Sequence, residues 1–144
     1  MIFIIILSIV FFDQASKAFA IKFLQLNTPV PLIKNFLNLT LVHNRGAAFG
    51  ILQNQVSMFV LISACAIVLI FFNLRDKSNS RLLKFSFSMI MAGAIGNLID
   101  RLRFGFVIDF IDFRVWPVFN FADSVITIAA FLLAWEMLFK KHVA

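Results

Sequence analysis

Residues 1–24 read "MIFIIILSIVFFDQASKAFAIKFL", an apolar run that carries Asp13, Gln14 and Lys17 in its second half. The segment 1–12 alone would rise only about 18 Å as a helix, short of a hydrocarbon core of about 30 Å. A membrane span must therefore run on through the polar residues to Leu24. Ionisable groups at membrane depth are costly and are found where they have a partner or a task. Asp13 and Lys17, at i and i+4, lie on one helix face and are expected to pair, at the interface or toward the bundle. The run resembles the apolar part of a signal peptide. It lacks a basic n-region and a small-residue cleavage site, so it is expected to be retained.

The rest of the chain supports this reading. Of 144 residues, 62% are hydrophobic and 14% charged, with mean hydropathy +0.97, and a soluble domain would leave too much apolar surface in water. The expected organisation is a single integral membrane domain over 1–144, with helical spans at about 1–24, 56–74, 82–99 and 121–139. Lys84 can snorkel from the third of them. The formal charge of +6 comes from Lys and Arg residues dispersed or set at the ends of apolar runs. That pattern fits membrane anchoring and no nucleic-acid partner. Cys65 stands alone and is joined only by two histidines, so neither a disulfide framework nor a metal or other cofactor is expected. An even number of spans puts both termini on one side. The basic linker "RDKSNSR" and the tail "KKHVA" mark that side as cytoplasmic.

Two long connections then lie on the opposite face. Gln25 to Gln55 carries Pro29 and Pro31, followed by "FLNLTLV", where Leu37, Leu39 and Leu41 alternate with Asn38 and Thr40 as in a half-buried strand. "NRG" follows as a turn, and "AAFGIL" is expected to form a helical turn or two. The fold class is thus an all-α membrane protein of four transmembrane helices, with a strand and a helical turn or two on the extracytoplasmic side. Asp100 to Asn120 is the second connection. Structureless loops this long usually bind something, so the working face is expected to be the non-cytoplasmic one.

The carboxylates agree with that choice. Of seven acids, Asp76 and Glu136 map to the cytoplasmic side as surface groups, and Asp13, Asp100, Asp109, Asp112 and Asp123 to the opposite end. Asp123 follows Asn120 by three residues near the start of the fourth span, a capping-box arrangement that favours its anion. A purely structural capping role is the alternative to chemistry. The preceding loop, however, offers Asp109 within folding reach. Two carboxylates held close share a proton, and the pair can act as base toward a water and as acid toward a leaving amine. Asp112 competes with Asp109 for that place. An offset of three puts the two on opposite faces of a strand, so only one can join Asp123. Ser16 and Lys17 diverge on a helix and make no Ser-Lys dyad, His43 is expected as a hydrogen-bonded loop residue, and HExxH is absent. Trp116 and Trp135 are expected as interfacial belt residues.

Taken together, "DQASK" (13–17), "NRGAAFG" (44–50), "AGAIGNLIDR" (92–101), "VIDFIDF" (107–113) and "FNFADS" (119–124) resemble, in order and spacing, the motif set of lipoprotein signal peptidase, the type II signal peptidase of bacteria. The resemblance implies a multi-pass enzyme of the bacterial inner membrane that works at the outer, periplasmic face, with "FLNLTLV" in a small extracytoplasmic β-cradle and "AAFGIL" as a short lid helix over the site. It would cut signal peptides from prolipoproteins before a diacylglyceryl-modified cysteine, with two aspartates and no metal. Membrane lipid and cyclic peptide inhibitors of the globomycin type are implied as further partners. By this resemblance Asp109 and Asp123 are the catalytic pair. Asn44, Gly46, Asn97, Arg101, Asn120, Asp13 and Lys17 occupy polar support and substrate-binding positions, and Asp100 is a structural acid. Ala92 departs from the glycine frequent there, and Gly93 and Gly96 remain for close helix approach. The competing reading, a non-enzymatic membrane protein, predicts charges spread through the spans. The centres of spans two to four are nearly charge-free.

Overall fold

A computed structural model describes residues 2–46 and 55–139. The expected "AAFGIL" lid and "KKHVA" tail lie outside them. Among the described residues, four helices are long and apolar enough to cross a membrane: α1 (Ile2–Phe23), α2 (Val56–Arg75), α3 (Arg81–Phe104) and α4 (Phe121–Phe139). Between them lie β1 (Val30–Ile33), β2 (Leu37–Asn44) and β3 (Val107–Asp112), an antiparallel sheet in the order β1-β2-β3.

Helix α3 is the hub and packs against each of the other three helices. It begins at Ser80, whose hydroxyl accepts from the Leu83 amide at 3.1 Å, the cap expected of a serine at that position. It ends at Gly105, in the left-handed region at φ 75°, where a residue with a side chain would be strained. The helix thus runs to Phe104, past the expected end at residue 99, and Asp100 and Arg101 become helical side chains one turn above Asn97. Small residues let its neighbours approach. A Cβ at Gly93 would meet Ile126 at 2.6 Å and the Ala122 carbonyl at 2.8 Å, and one at Gly96 would overlap the Asp13 carboxylate. Ala92 is fully buried. Outward faces are apolar, with Leu69 and Phe131 exposed, as suits helices whose solvent is lipid.

The sheet sets which residues face the helices. In β2 the polar Asn38 and Thr40 are buried while Leu37 and Leu39 are half-exposed, so the alternation is real but its polar side points inward. The β2–β3 register shifts by one between Leu39 and Val42. Such a bulge reverses facing along the strand. Asn38 and Thr40 thereby share a face with Asp112, and Asn44 shares the other with Asp109. After β3 the chain turns through Arg114 at φ 66° and returns. Phe119 bonds back to Ile111, its amide donating at 3.1 Å and its carbonyl accepting at 2.8 Å, and this return sets Asn120 and the start of α4 beside Asp109. His43, expected in a loop, stands in β2 with its ring stacked on Phe106 at 4.0 Å.

Candidate active site

At the end of the bundle that carries the sheet, one fully buried cation holds two helices together. Lys17 Nζ of α1 lies 2.9 Å from Asp13 Oδ2 and 2.8 Å from Asp100 Oδ2, and donates to Asn97 Oδ1 at 2.9 Å. The pair foreseen within α1 is therefore an inter-helix triad that faces the bundle. Its remaining lone pairs are occupied, as buried ions require. Asp13 Oδ1 accepts from the Ala122 amide of α4 at 3.0 Å, and Asp100 Oδ2 accepts from the Ile108 amide of β3 at 3.1 Å. Gln14, which the sequence placed at membrane depth without a role, donates to Asp13, to Asp100 and to the Gly96 carbonyl. The triad thus fixes α1, α3, α4 and β3 relative to one another.

Above it stand Asp109 and Asp123, each held by asparagines. Asp109 Oδ1 accepts from Asn120 Nδ2 at 2.7 Å and Oδ2 from Asn44 Nδ2 at 2.9 Å. Asp123 Oδ1 accepts from Asn97 Nδ2 at 2.8 Å. Asn120 and Asp123 also form the reciprocal cap: the Asp123 amide donates to Asn120 Oδ1 at 3.0 Å and the Asn120 amide to Asp123 Oδ2 at 3.2 Å. The capping role and the approach to Asp109 therefore coexist, because Asn120 serves both. Its amide group donates as well to Asn97 Oδ1 at 3.1 Å, which joins the carboxylates to the Lys17 triad.

Asp109 is 1% exposed. Burial, and after it the charge of Asp123, pushes its carboxyl up to about 7, against the pull of the Asn44 and Asn120 donors. Asp112 points elsewhere, accepting from the Thr40 hydroxyl at 2.8 Å and the Arg114 amide at 2.7 Å. Both Asp109 and Asp123 line a cavity of about 240 Å³, with Asn44, Gly46, Asn97 and Arg101. Gly46 is tied to Asn44 through its amide, which donates to Asn44 Oδ1 at 3.0 Å. The Arg101 guanidinium lies over the Phe59 ring of α2 at 5.1 Å, a contact with no sequence signal. Trp116, expected only as a belt residue, is also part of the cavity wall.

A family model described as signal peptidase (SPase) II matches residues 5–139. The chain belongs to the signal peptidase II family. Among curated relatives, the lipoprotein signal peptidase of Caldanaerobacter subterraneus is 44% identical over 141 residues, 97% of each chain. That of Caldicellulosiruptor bescii is 47% identical over 135 residues, 94% of this chain and 89% of its own. A solved bacterial membrane enzyme superposes with TM-score 0.87 at 32% identity, over 99% of this chain and 93% of that one. Membership of a signal peptidase family, together with four membrane-crossing helices, makes this a bacterial multi-pass membrane protease. The resemblance of the five motifs to that family is thereby met.

Proposed function

We propose that this member of the signal peptidase II family is an aspartic endopeptidase that removes signal peptides from prolipoproteins, cleaving before a diacylglyceryl-modified cysteine. The observation that carries the reading is the meeting of Asp109 and Asp123 on one cavity, each carboxylate held by asparagine donors. A carboxyl raised to about 7 is half protonated near neutral pH. Asp109 then acts as acid and Asp123, in the first turn of α4 where the exposed amides favour a carboxylate, as base.

In the proposed step Asp123 takes a proton from a water, whose oxygen attacks the scissile carbonyl carbon, and Asp109 protonates the carbonyl oxygen. Collapse returns that proton to Asp109. The proton on Asp123 passes to the leaving amine, and the C–N bond breaks. Asn44 and Arg101, which line the cavity, would meet the unwound backbone of the substrate, whose polar groups need partners once its helix opens. Asn97 and Asn120 orient the carboxylates, and the Lys17 triad sets the helices that carry them.

The site is assigned to the outer, periplasmic face and both termini to the cytoplasm. The basic linker that joins α2 to α3 lies at the opposite end from the carboxylates. Cyclic peptides of the globomycin type, with many backbone carbonyls and amides, would compete for the same donors.

The test is incubation of the purified protein with a lipid-modified prolipoprotein. Signal-peptide loss should be insensitive to chelators, absent in Asp109→Asn and in Asp123→Asn, and largely kept in Asp112→Asn. An Asp112→Asn variant as inactive as the other two, or turnover by either of those near the parent rate, would overturn the assignment.

A further inference from the structure

Asp112 takes no part in the chemistry proposed above, yet both of its carboxylate oxygens are taken. It closes β3 opposite Asn38 of β2, and Thr40, two residues along that strand, stands on the same face. The Thr40 hydroxyl donates to Asp112 Oδ2 at 2.8 Å, and the Arg114 amide donates to Oδ1 at 2.7 Å. The second bond, from the backbone two residues on to an aspartate side chain, is how a short acidic residue builds a turn. This turn needs it. Arg114 has φ 66°, a left-handed conformation that is strained for a residue with a Cβ. Val115 at the tip is 92% exposed, so packing does not hold the tip in place.

The residues after the turn form part of the cavity. Trp116, Pro117, Val118 and Phe119 are consecutive, and all four line the space that Asp109 and Asp123 share. The segment is pinned at its far end, where Phe119 exchanges backbone hydrogen bonds with Ile111 and its carbonyl also accepts from the Phe110 amide at 3.0 Å. At the near end the Val115 amide donates to the Phe113 carbonyl at 2.8 Å, a bond that stays within the turn. The Asp112 carboxylate is the group that ties the turn to another strand.

We propose that Asp112 is a positioning residue for the substrate: by holding the Arg114 turn against β2, it sets residues 116–118 as the wall along which the peptide binds. The inference rests on the peptidase reading above and gives the second aspartate of "VIDFID" a task distinct from that of the first. A wall shared with Asp109 and Asp123 lies beside the scissile bond, so its position governs how well the peptide is seated. Proton transfer does not depend on it. Asn120, which donates to Asp109 and caps Asp123, is set from Phe119 by backbone bonds that contain no atom of the Asp112 side chain. Loss of the carboxylate therefore weakens binding and spares the chemical step. The task needs an acceptor rather than a charge. Asparagine keeps Oδ1 for the Arg114 amide, and its NH₂ donates to the Thr40 hydroxyl, which turns to accept.

The test uses the full-length protein in detergent and a peptide carrying a diacylglyceryl cysteine. Asp112→Ala should raise KM about tenfold, the scale of one lost hydrogen bond to a charged group, with kcat within about twofold of the parent. Asp112→Asn should bring KM back to within about twofold of the parent. Thr40→Val, which removes one of the two bonds and serves as well if Asp112→Ala fails to fold, should raise KM about threefold. A fall in kcat with KM unchanged, or an Asp112→Asn variant no better than Asp112→Ala, would overturn the proposal. A second readout needs no substrate. Trp116 and Trp135 are the two tryptophans of the chain, so in a Trp135→Phe background the fluorescence anisotropy decay reports on Trp116 alone. Asp112→Ala should add a fast component that Asp112→Asn lacks, and identical decays in parent and both variants would overturn the proposal. A fast component in Asp112→Ala, from a parent that cuts no peptide, would instead overturn the peptidase reading while confirming what holds the wall.

Discussion

Replacing Asp109 by asparagine should abolish cleavage yet make the protein more stable at alkaline pH. The Asp109 carboxyl, 1% exposed, is raised from 3.8 to about 7, first by burial and then by the charge of Asp123. Between those values the folded state holds a proton that the unfolded chain has released. Stability therefore falls as pH rises through that window, by about 1.4 kcal/mol per unit and about 4 kcal/mol in all, and is level above it. Below the window both states carry the proton and the difference vanishes. Asparagine cannot ionise and escapes the loss.

It also sets a cost. Asn120 Nδ2 still finds an amide oxygen, but Asn44 Nδ2 would face an NH₂ where Oδ2 stood. Turning Asn44 over would lose its bond from the Gly46 amide. One such buried mismatch costs about 1–3 kcal/mol. The variant should thus be about 1–3 kcal/mol more stable than the parent above about pH 8, and less stable by a similar amount near pH 4. Unfolding of a membrane protein in detergent is seldom reversible, so the readout is the half-life at fixed temperature and the melting midpoint, followed by the fluorescence of Trp116 and Trp135 from acid to alkaline pH. The advantage should grow with pH and level off near 7. An advantage independent of pH, or one that shrinks toward alkaline pH, would refute a buried, proton-holding Asp109.

Lys17→Met should cost about 3–5 kcal/mol, because it leaves the Asp13 and Asp100 carboxylates buried together without their cation; a melting midpoint equal to the parent's would show the triad to be energetically idle. Gly96→Ala places a methyl where the Asp13 carboxylate lies and should lower stability by about 1–3 kcal/mol, with a larger loss than any alanine substitution on the exposed face of α2. Arg101→Ala should raise KM for lipidated peptide and weaken cyclic peptide binding in a titration, while the melting midpoint stays near that of the parent, because its guanidinium engages Phe59 at the cavity rather than the buried network. A lowered midpoint with unchanged KM would make Arg101 a structural residue.

The membrane class, the number of helices and the end of the bundle that gathers the acids were legible in the sequence, because each depends on short windows. Hydropathy over about 20 residues marks a span, an i, i+4 spacing puts Asp13 and Lys17 on one face, and Asn120 three residues before Asp123 is a local cap signal. The five motifs carried the resemblance for the same reason. What required the tertiary structure was every choice between locally equivalent partners. Asp109 and Asp112 look alike in "VIDFID", and the β2–β3 register with its shift between Leu39 and Val42, together with the return of Phe119 onto Ile111, decides that Asp109 joins Asp123 while Asp112 meets Thr40. Lys17 read as one half of a pair until α3 brought Asp100 and Asn97 to it, an approach that the missing side chain of Gly96 permits. Phe59 had no distinguishing pattern, and the patterns that marked Gln14 and Trp116 did not point to their places at the site, since their partners lie on other elements. Local periodicity records which face a residue takes, but not what faces it, because that depends on contacts between segments far apart in the chain.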